Sequence, residues 1–264
     1  MKMALKKFLS NVTKADTWRS LWSSLLDTFT GRKAALLPVP VMQERVEYGT
    51  LPMPDGSYLR YAHYYMTHTT PRSKMLVLSG RREFIEEYED VNRDFLRRGF
   101  DVWCFDWRGQ GASKRELVDP AKGHIEDYKT YIKDLEHFVN SFIRPHNTEP
   151  FYIFAHSMGA HILLRYVLEN RPKDIKGAIV SAPMIDIRTG SYPYRVARGI
   201  ARAMVLSGAR EKYIFGDEPS EKEENTFEGN PYTNDPERYK NRVDLQKKYP
   251  DYVVTGYTFS WLEA

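Results

Sequence analysis

The sequence predicts an α/β fold with a mostly parallel sheet and an antiparallel start. Short apolar segments of strand length alternate with longer amphipathic segments of helix length, an order typical of a parallel sheet covered by helices. Ahead of them, Leu59, Tyr61, His63 and Tyr65 recur at period two, after the Pro54-Asp55-Gly56 turn. We therefore expect an antiparallel pair of strands first and parallel strands after it.

The elements of the core follow one another regularly along the chain. The predicted strands are Met75–Leu78, Val102–Phe105, Phe151–Phe154 and Ala178–Val180, and the predicted helices are 84–98, 125–143 and 158–170. Gly99 ends the first helix and Pro145 stops the second. Residues 186–255 break this rhythm, with one helix expected near 193–207. We predict that they form a helical lid inserted over the carboxyl edge of the sheet.

The chain divides into four predicted parts. They are an N-terminal segment (1–40), the core (41–185), the lid (186–255) and a start of the return to the core (256–264). Within the first part, apolar residues between positions 4 and 29 recur every three or four residues, which predicts an amphipathic helix. Its lysines and tryptophans suit peripheral contact with a membrane surface. The same apolar stripe also suits packing on the domain or on a partner chain.

Composition narrows the classes of function. The 264 residues carry 39 Lys and Arg against 35 Asp and Glu, and Arg81-Arg82 is followed at once by several acidic residues, so no nucleic-acid partner is expected. The single cysteine, Cys104, excludes an intramolecular disulfide and any multi-cysteine metal site. We expect a cytoplasmic protein without metal or cofactor, possessing no apolar run of the ~20 residues that span a bilayer.

The strongest chemical signal lies between the strand ending at Phe154 and the next helix. Ala155-His156-Ser157-Met158-Gly159 has a serine flanked, two positions away on each side, by small residues. This is the pattern of a nucleophile elbow, a turn so tight that only small side chains fit there. We predict Ser157 as the nucleophile and the Met158 N–H, at the start of the helix, as an oxyanion donor.

A second loop follows the strand that ends at Phe105. Asp106, Arg108, Gly109 and Gly111 belong to its sequence Asp-Trp-Arg-Gly-Gln-Gly-Ala-Ser. We interpret it as a supporting loop that braces the nucleophile turn, in preference to a direct catalytic role.

Together these segments resemble the α/β-hydrolase superfamily, in particular its monoacylglycerol lipase and bacterial lysophospholipase branch. The resemblance runs from about residue 42 to the C-terminus. Its motifs are Ser-Gly-Arg-Arg-Glu (79–83), the 106–113 loop, Gly-His-Ile (123–125), the 155–159 elbow and Ser-Ala-Pro-Met (181–184). It implies a serine hydrolase that cleaves the ester of a single-chain lipid, such as a lysophospholipid or a monoacylglycerol. It also implies that Arg81, after Gly80, provides the second oxyanion N–H.

The sequence has no histidine at the place where the expected catalytic triad needs one. In this fold the acid and then the histidine follow the serine, but no histidine follows His161. Asp186 is a possible acid without a histidine to orient. In the resembled family two more strands follow the lid, so we expect the triad acid and histidine beyond residue 264. The alternatives are a base supplied by a partner chain, a non-catalytic binding module of this fold, and, for the substrate, small soluble esters. Oligomeric state is not fixed by the sequence.

Overall fold

The computed structural model describes residues 42–145, 150–187, 193–217, 227–230 and 232–264. The predicted amphipathic helix at positions 4–29 and its linker lie outside these ranges. These ranges cover most of the predicted core and most of the predicted lid segment.

A six-stranded mixed sheet forms the centre of the described chain. Eight strands lie in the described ranges, six of them in this sheet. They are β1 (Glu44–Pro52), β2 (Tyr58–Met66), β3 (Ser73–Leu78), β4 (Phe100–Phe105), β5 (Lys122–Gly123), β6 (Phe151–His156), β7 (Ile175–Ser181) and β8 (Gly256–Tyr257). The sheet order is β1-β2-β4-β3-β6-β7, while β5 and β8 form a separate parallel pair. β2 runs antiparallel to β1 and β4, and the remaining neighbours are parallel. The predicted fold class, with its antiparallel start, is confirmed.

Six α-helices lie within the described ranges. They are α1 (Glu89–Arg97), α2 (Lys129–Phe138), α3 (Ser157–Asn170), α4 (Tyr194–Leu206), α5 (Pro236–Lys248) and α6 (Phe259–Glu263). The first predicted helix starts as a 3₁₀ turn, Ile85–Tyr88, and the second ends in a π-helical turn, Val139–Ile143. The sequence reading did not identify α5. Its start is nevertheless well signalled, because the Asp235 carboxylate accepts the backbone N–H groups of Glu237 and Arg238, and Pro236 is the first residue of the helix.

The two faces of the sheet carry separate apolar clusters. In β3, Leu76 and Leu78 join one cluster, whereas Met75 and Val77 join the other, as expected when successive side chains point to opposite faces. β7 lies at the edge of the sheet, and Ile179 remains 54% exposed.

A buried ion pair ties the supporting loop to α2. The Arg108 guanidinium donates two hydrogen bonds to the Asp134 carboxylate, at 2.9 and 2.8 Å, and both side chains are almost fully buried. Arg108 also contacts Asp55 at 2.7 Å and Glu116 at 3.3 Å. Burial raises the pKa of Asp134, and the hydrogen bonds from Arg108 oppose this rise. Removing the cation would leave a carboxyl group in the core without its partner.

We predict that Arg108→Met lowers the free energy of unfolding by about 3–5 kcal/mol, the usual cost of breaking a buried pair from one side. The double variant Arg108→Met/Asp134→Leu should recover part of that loss, because no buried charge remains. Urea unfolding of both variants measures the difference. Equal losses in the single and double variants would show that packing, rather than the unpaired carboxylate, sets the cost.

A second carboxylate with a buried side chain links α5, in the segment predicted as a lid, to the core. The Glu87 carboxylate accepts a hydrogen bond from Gln246 at 3.0 Å and one from Arg242 at 3.4 Å. The Arg242 guanidinium also stacks 3.7 Å from the centre of the Tyr232 ring. Glu87 is only 6% exposed, and burial raises its pKa to about 7 despite the nearby arginine. The contact between α5 and the core therefore includes a carboxyl group whose pKa is raised to about 7.

We predict that α5 is held more tightly at pH 5 than at pH 8. A carboxyl group with a raised pKa in the folded state stabilises that state when it is protonated, and this contribution is lost as the pH rises through about 7. Amide hydrogen exchange of α5, corrected for the intrinsic pH dependence, measures the change. Glu87→Gln should flatten the pH profile. Glu89→Gln is the matched control, and a flattened profile in that variant would contradict the assignment.

Candidate active site

The nucleophile elbow has a strained backbone at Ser157. Its φ angle is +49°, in the left-handed region that non-glycine residues rarely adopt. The surroundings enforce this conformation through a close approach. A Cβ atom at Gly159 would overlap the carbonyl oxygen of Ser79 and press on that of Leu78. Only glycine permits α3 to start so near the end of β3, and strained residues of this kind cluster at functional sites.

The elbow places Ser157 at the first position of a 14-residue helix. Ala155 is fully buried at the end of β6 and pairs with Leu78 of β3. Met158 follows within the first turn, where backbone N–H groups have no acceptor inside the helix. Ser157 itself is only partly buried, whereas Met158 is fully buried. The serine hydroxyl therefore lies beside amide groups suited to a negative oxygen.

The 79–83 turn lies directly against the serine. A Cβ atom at Gly80 would stand 3.0 Å from the Ser157 Cβ and 3.1 Å from Cδ2 of the His156 ring. The Ser79 carbonyl accepts a hydrogen bond from the buried Trp107 indole at 2.9 Å. The structure thus brings Gly80 next to Ser157. The role of Arg81 as an oxyanion donor stays a prediction.

The 106–113 loop makes structural contacts. The fully buried Asp106 carboxylate accepts hydrogen bonds from the Ile85 and Ala112 backbone N–H groups, both at 2.9 Å. Burial raises its pKa to about 6. A side chain at Gly111, where φ is +52°, would collide with this carboxylate, and Gly109 also has a positive φ. The loop folds around Asp106 and supports the turn above it.

Among the described histidines, none is hydrogen-bonded to the Ser157 hydroxyl. The His156 ring points to Glu83, with Nε2 at 3.8 Å from Oε1. His161 packs beside the Tyr128 ring, with 5.2 Å between ring centres, and burial lowers its pKa. His124 is buried against Thr258, with 2.9 Å between Nδ1 and Oγ1.

Asp186 stands apart from the serine. Its side chain is exposed and accepts the N–H of the next residue, Ile187, at 2.8 Å. It shares the lining of an open cleft of about 330 Å³ with His161 and Arg165. The Ser157 carbonyl instead accepts the Met184 N–H at 3.1 Å. The structure brings Asp186 near a histidine without joining the two by a hydrogen bond.

Three residues that the sequence analysis did not select contact the 79–83 turn. The Glu83 carboxylate accepts the backbone N–H of Gly80. The Gln110 and Tyr257 side-chain oxygens accept the backbone N–H of Arg82. Glu83 lies within a motif quoted above, but nothing local in the sequence marks Gln110 or Tyr257 as partners of that turn.

Within the described ranges, no helix is long and apolar enough to cross a membrane.

Comparisons with known proteins find related sequences. The chain is 28% identical to a probable lysophospholipase L2 of Haemophilus influenzae, over 77% of this chain and 63% of the relative. It is 31% identical to lysophospholipase L2 of Escherichia coli K12, over 71% and 54% of the two chains. The chain thus spans between about half and two thirds of the length of these relatives.

Solved structures show the same fold. A soluble variant of Saccharomyces cerevisiae monoglyceride lipase superimposes with a TM-score of 0.61 at 20% identity, over 87% of this chain and 70% of the yeast chain. A carboxyl esterase from Bacillus coagulans gives 0.59 at 17% identity, over 84% and 71%. Residues 69–261, nearly three quarters of the sequence, match the family described as serine aminopeptidase, S33. The chain therefore belongs to the S33 serine aminopeptidase family and has the α/β-hydrolase fold.

Proposed function

We propose that this chain carries the nucleophile and oxyanion hole of a serine hydrolase that cleaves single-chain lipid esters, lysophospholipids or monoacylglycerols. The observation that carries the proposal is Ser157, held in a left-handed conformation at a helix start beside the 79–83 turn. The lysophospholipase names of two relatives support the substrate class. The buried Cys104 agrees with a cytoplasmic location.

The proposed reaction proceeds through an acyl-enzyme. The Ser157 hydroxyl oxygen attacks the ester carbonyl carbon, its proton passes to a base, and the carbonyl oxygen becomes negatively charged. That oxygen accepts hydrogen bonds from the Met158 and Arg81 N–H groups. When the carbonyl re-forms, the leaving alcohol takes the proton from the base. Water then attacks the acyl-serine ester by the same sequence and releases the fatty acid.

The base is proposed to come from outside these 264 residues. A serine hydroxyl is a weak nucleophile without a base, and no described histidine reaches it. The relatives' greater length leaves room for an acid and a histidine in that part. Peripheral membrane contact through residues 4–29, which lie outside the described ranges, would bring the enzyme to its substrate.

A non-catalytic binding module is the competing function, favoured by the same lack of a base among the described residues. Hydrolysis of small soluble esters is the other alternative. Turnover of one ester series, measured below and above its critical micelle concentration, separates lipid esters from small soluble esters as substrates. The measurement uses the polypeptide that carries the proposed base. A lipid enzyme gains rate when micelles form, whereas an enzyme for soluble esters does not.

We predict slow labelling of the 264-residue chain by a fluorophosphonate probe, abolished by Ser157→Ala. When triad members are removed, the oxyanion hole and binding together still give about 10³–10⁴-fold catalysis over the reaction in water, so labelling should be slow but measurable. Ser207→Ala, at an exposed serine of the lid, is the matched control and should label like the parent. Labelling that persists in Ser157→Ala would assign the nucleophile elsewhere. A folded parent that stays unlabelled would favour the binding module.

A further inference from the structure

We propose that Glu83 is a positioning residue that fixes the oxyanion turn of Ser157. The inference rests on the proposed function, because it concerns the same site. Glu83 is not expected to touch the reacting atoms. It acts through the backbone of the 79–83 turn, to which its own side chain folds back.

The Glu83 carboxylate forms three contacts around the turn. Oε2 accepts the Gly80 backbone N–H at 2.5 Å and the Tyr88 hydroxyl at 2.5 Å. Oε1 lies 3.8 Å from Nε2 of His156, the residue just before the nucleophile. The side chain is 15% exposed, so these contacts are largely shielded from water. The carboxylate therefore bridges the turn and the elbow, which together would supply the two oxyanion N–H groups.

The other side of the turn is held by a second pair of side chains. The Arg82 backbone N–H donates to Gln110 Oε1 at 2.5 Å and contacts the Tyr257 hydroxyl at 3.2 Å. The Tyr257 hydroxyl in turn donates to the same Gln110 oxygen at 3.0 Å. Gln110 and Tyr257 are both buried. Arg82 has a φ of +61°, so this contact stabilises a turn conformation that is otherwise unfavourable.

Glu83 on one side of the turn and the Gln110–Tyr257 pair on the other leave one backbone N–H group available between them. The N–H groups of Gly80 and Arg82 are occupied, and the described residues offer no acceptor to the N–H of Arg81. Because peptide units are planar, fixing the units before and after restricts the rotation of the unit that carries the Arg81 N–H. This amide is the one expected to receive the substrate's carbonyl oxygen. Glu83 therefore orients the donor without contacting the substrate.

Charge and residue size both suit this role. A hydrogen bond to an ionised acceptor is roughly twice as strong as one between neutral groups. Glycine at position 80 makes the approach possible, since a Cβ atom there would stand 2.6 Å from Glu83 Oε2. The sequence Ser-Gly-Arg-Arg-Glu thus contains the donor, the small residue that admits the carboxylate, and the carboxylate itself.

We predict that Glu83→Ala speeds hydrogen exchange of the Gly80 amide by about tenfold or more and slows labelling of Ser157 about 10- to 100-fold, since misplacement by about 1 Å can cost ~10²-fold. Glu83→Gln keeps an acceptor oxygen but not the charge, so both effects should be present and clearly smaller than those of Glu83→Ala. Tyr88→Phe, which removes only the supporting hydroxyl, should show a smaller effect in the same direction. Asp90→Ala, at an exposed acid of the same segment, is the matched control.

The two measurements separate this inference from the proposed function. Amide exchange is measured by NMR on the folded chain and does not need a reactive serine, whereas labelling does. An unlabelled parent would count against the proposed function, and Gly80 exchange would still decide whether Glu83 holds the turn. Unchanged Gly80 exchange in Glu83→Ala overturns the inference. So does a labelled parent whose rate is unaffected by Glu83→Ala while exchange increases. Thermal unfolding of each variant identifies any that fail to fold.

Discussion

The close packing of α3 against the end of β3 is the constraint on which the candidate site depends. Gly159 lies so near the Ser79 and Leu78 carbonyl groups that no larger residue fits. This contact fixes where α3 begins, and the chain can pass from β6 into α3 only through a left-handed residue. Ser157 is that residue. The partly exposed position of Ser157 and the nearness of the 79–83 turn both follow from one backbone approach.

Local patterns in the sequence predicted the elements that this approach requires. The alternation of apolar strands and helices gave the sheet, and the small residues at 155 and 159 gave the elbow, because both signals lie within a few consecutive residues. The anchors of the 79–83 turn could not be predicted in this way. Gln110 and Tyr257 are separated by 147 positions, and they meet only after the sheet and the β5–β8 pair have formed. Helix α5 was missed because few of its residues are apolar or buried, although Asp235 and Pro236 mark its start.

The acidic residues that follow Arg82 have specific partners in the fold. In the sequence alone, this segment is only a charged stretch, which argues against a nucleic-acid partner. In the structure Glu86 pairs with Arg60, Glu87 with Arg242, and Glu83 with the Gly80 amide. Each carboxylate therefore contacts a different part of the molecule: strand β2, helix α5 and the 79–83 turn. A net charge of +4 conveys nothing of this arrangement.

Tyr257 belongs to two structures at once. Its backbone pairs with Gly123 in the β5–β8 ladder, and its hydroxyl contacts the Arg82 amide of the 79–83 turn. Its N–H also donates to Asp217 from the lid segment, at 2.8 Å. Binding free energies that are linked through a shared element are reciprocal. If a ligand at the turn and a ligand at the lid segment each shifted Tyr257, each would therefore change the binding free energy of the other by the same amount.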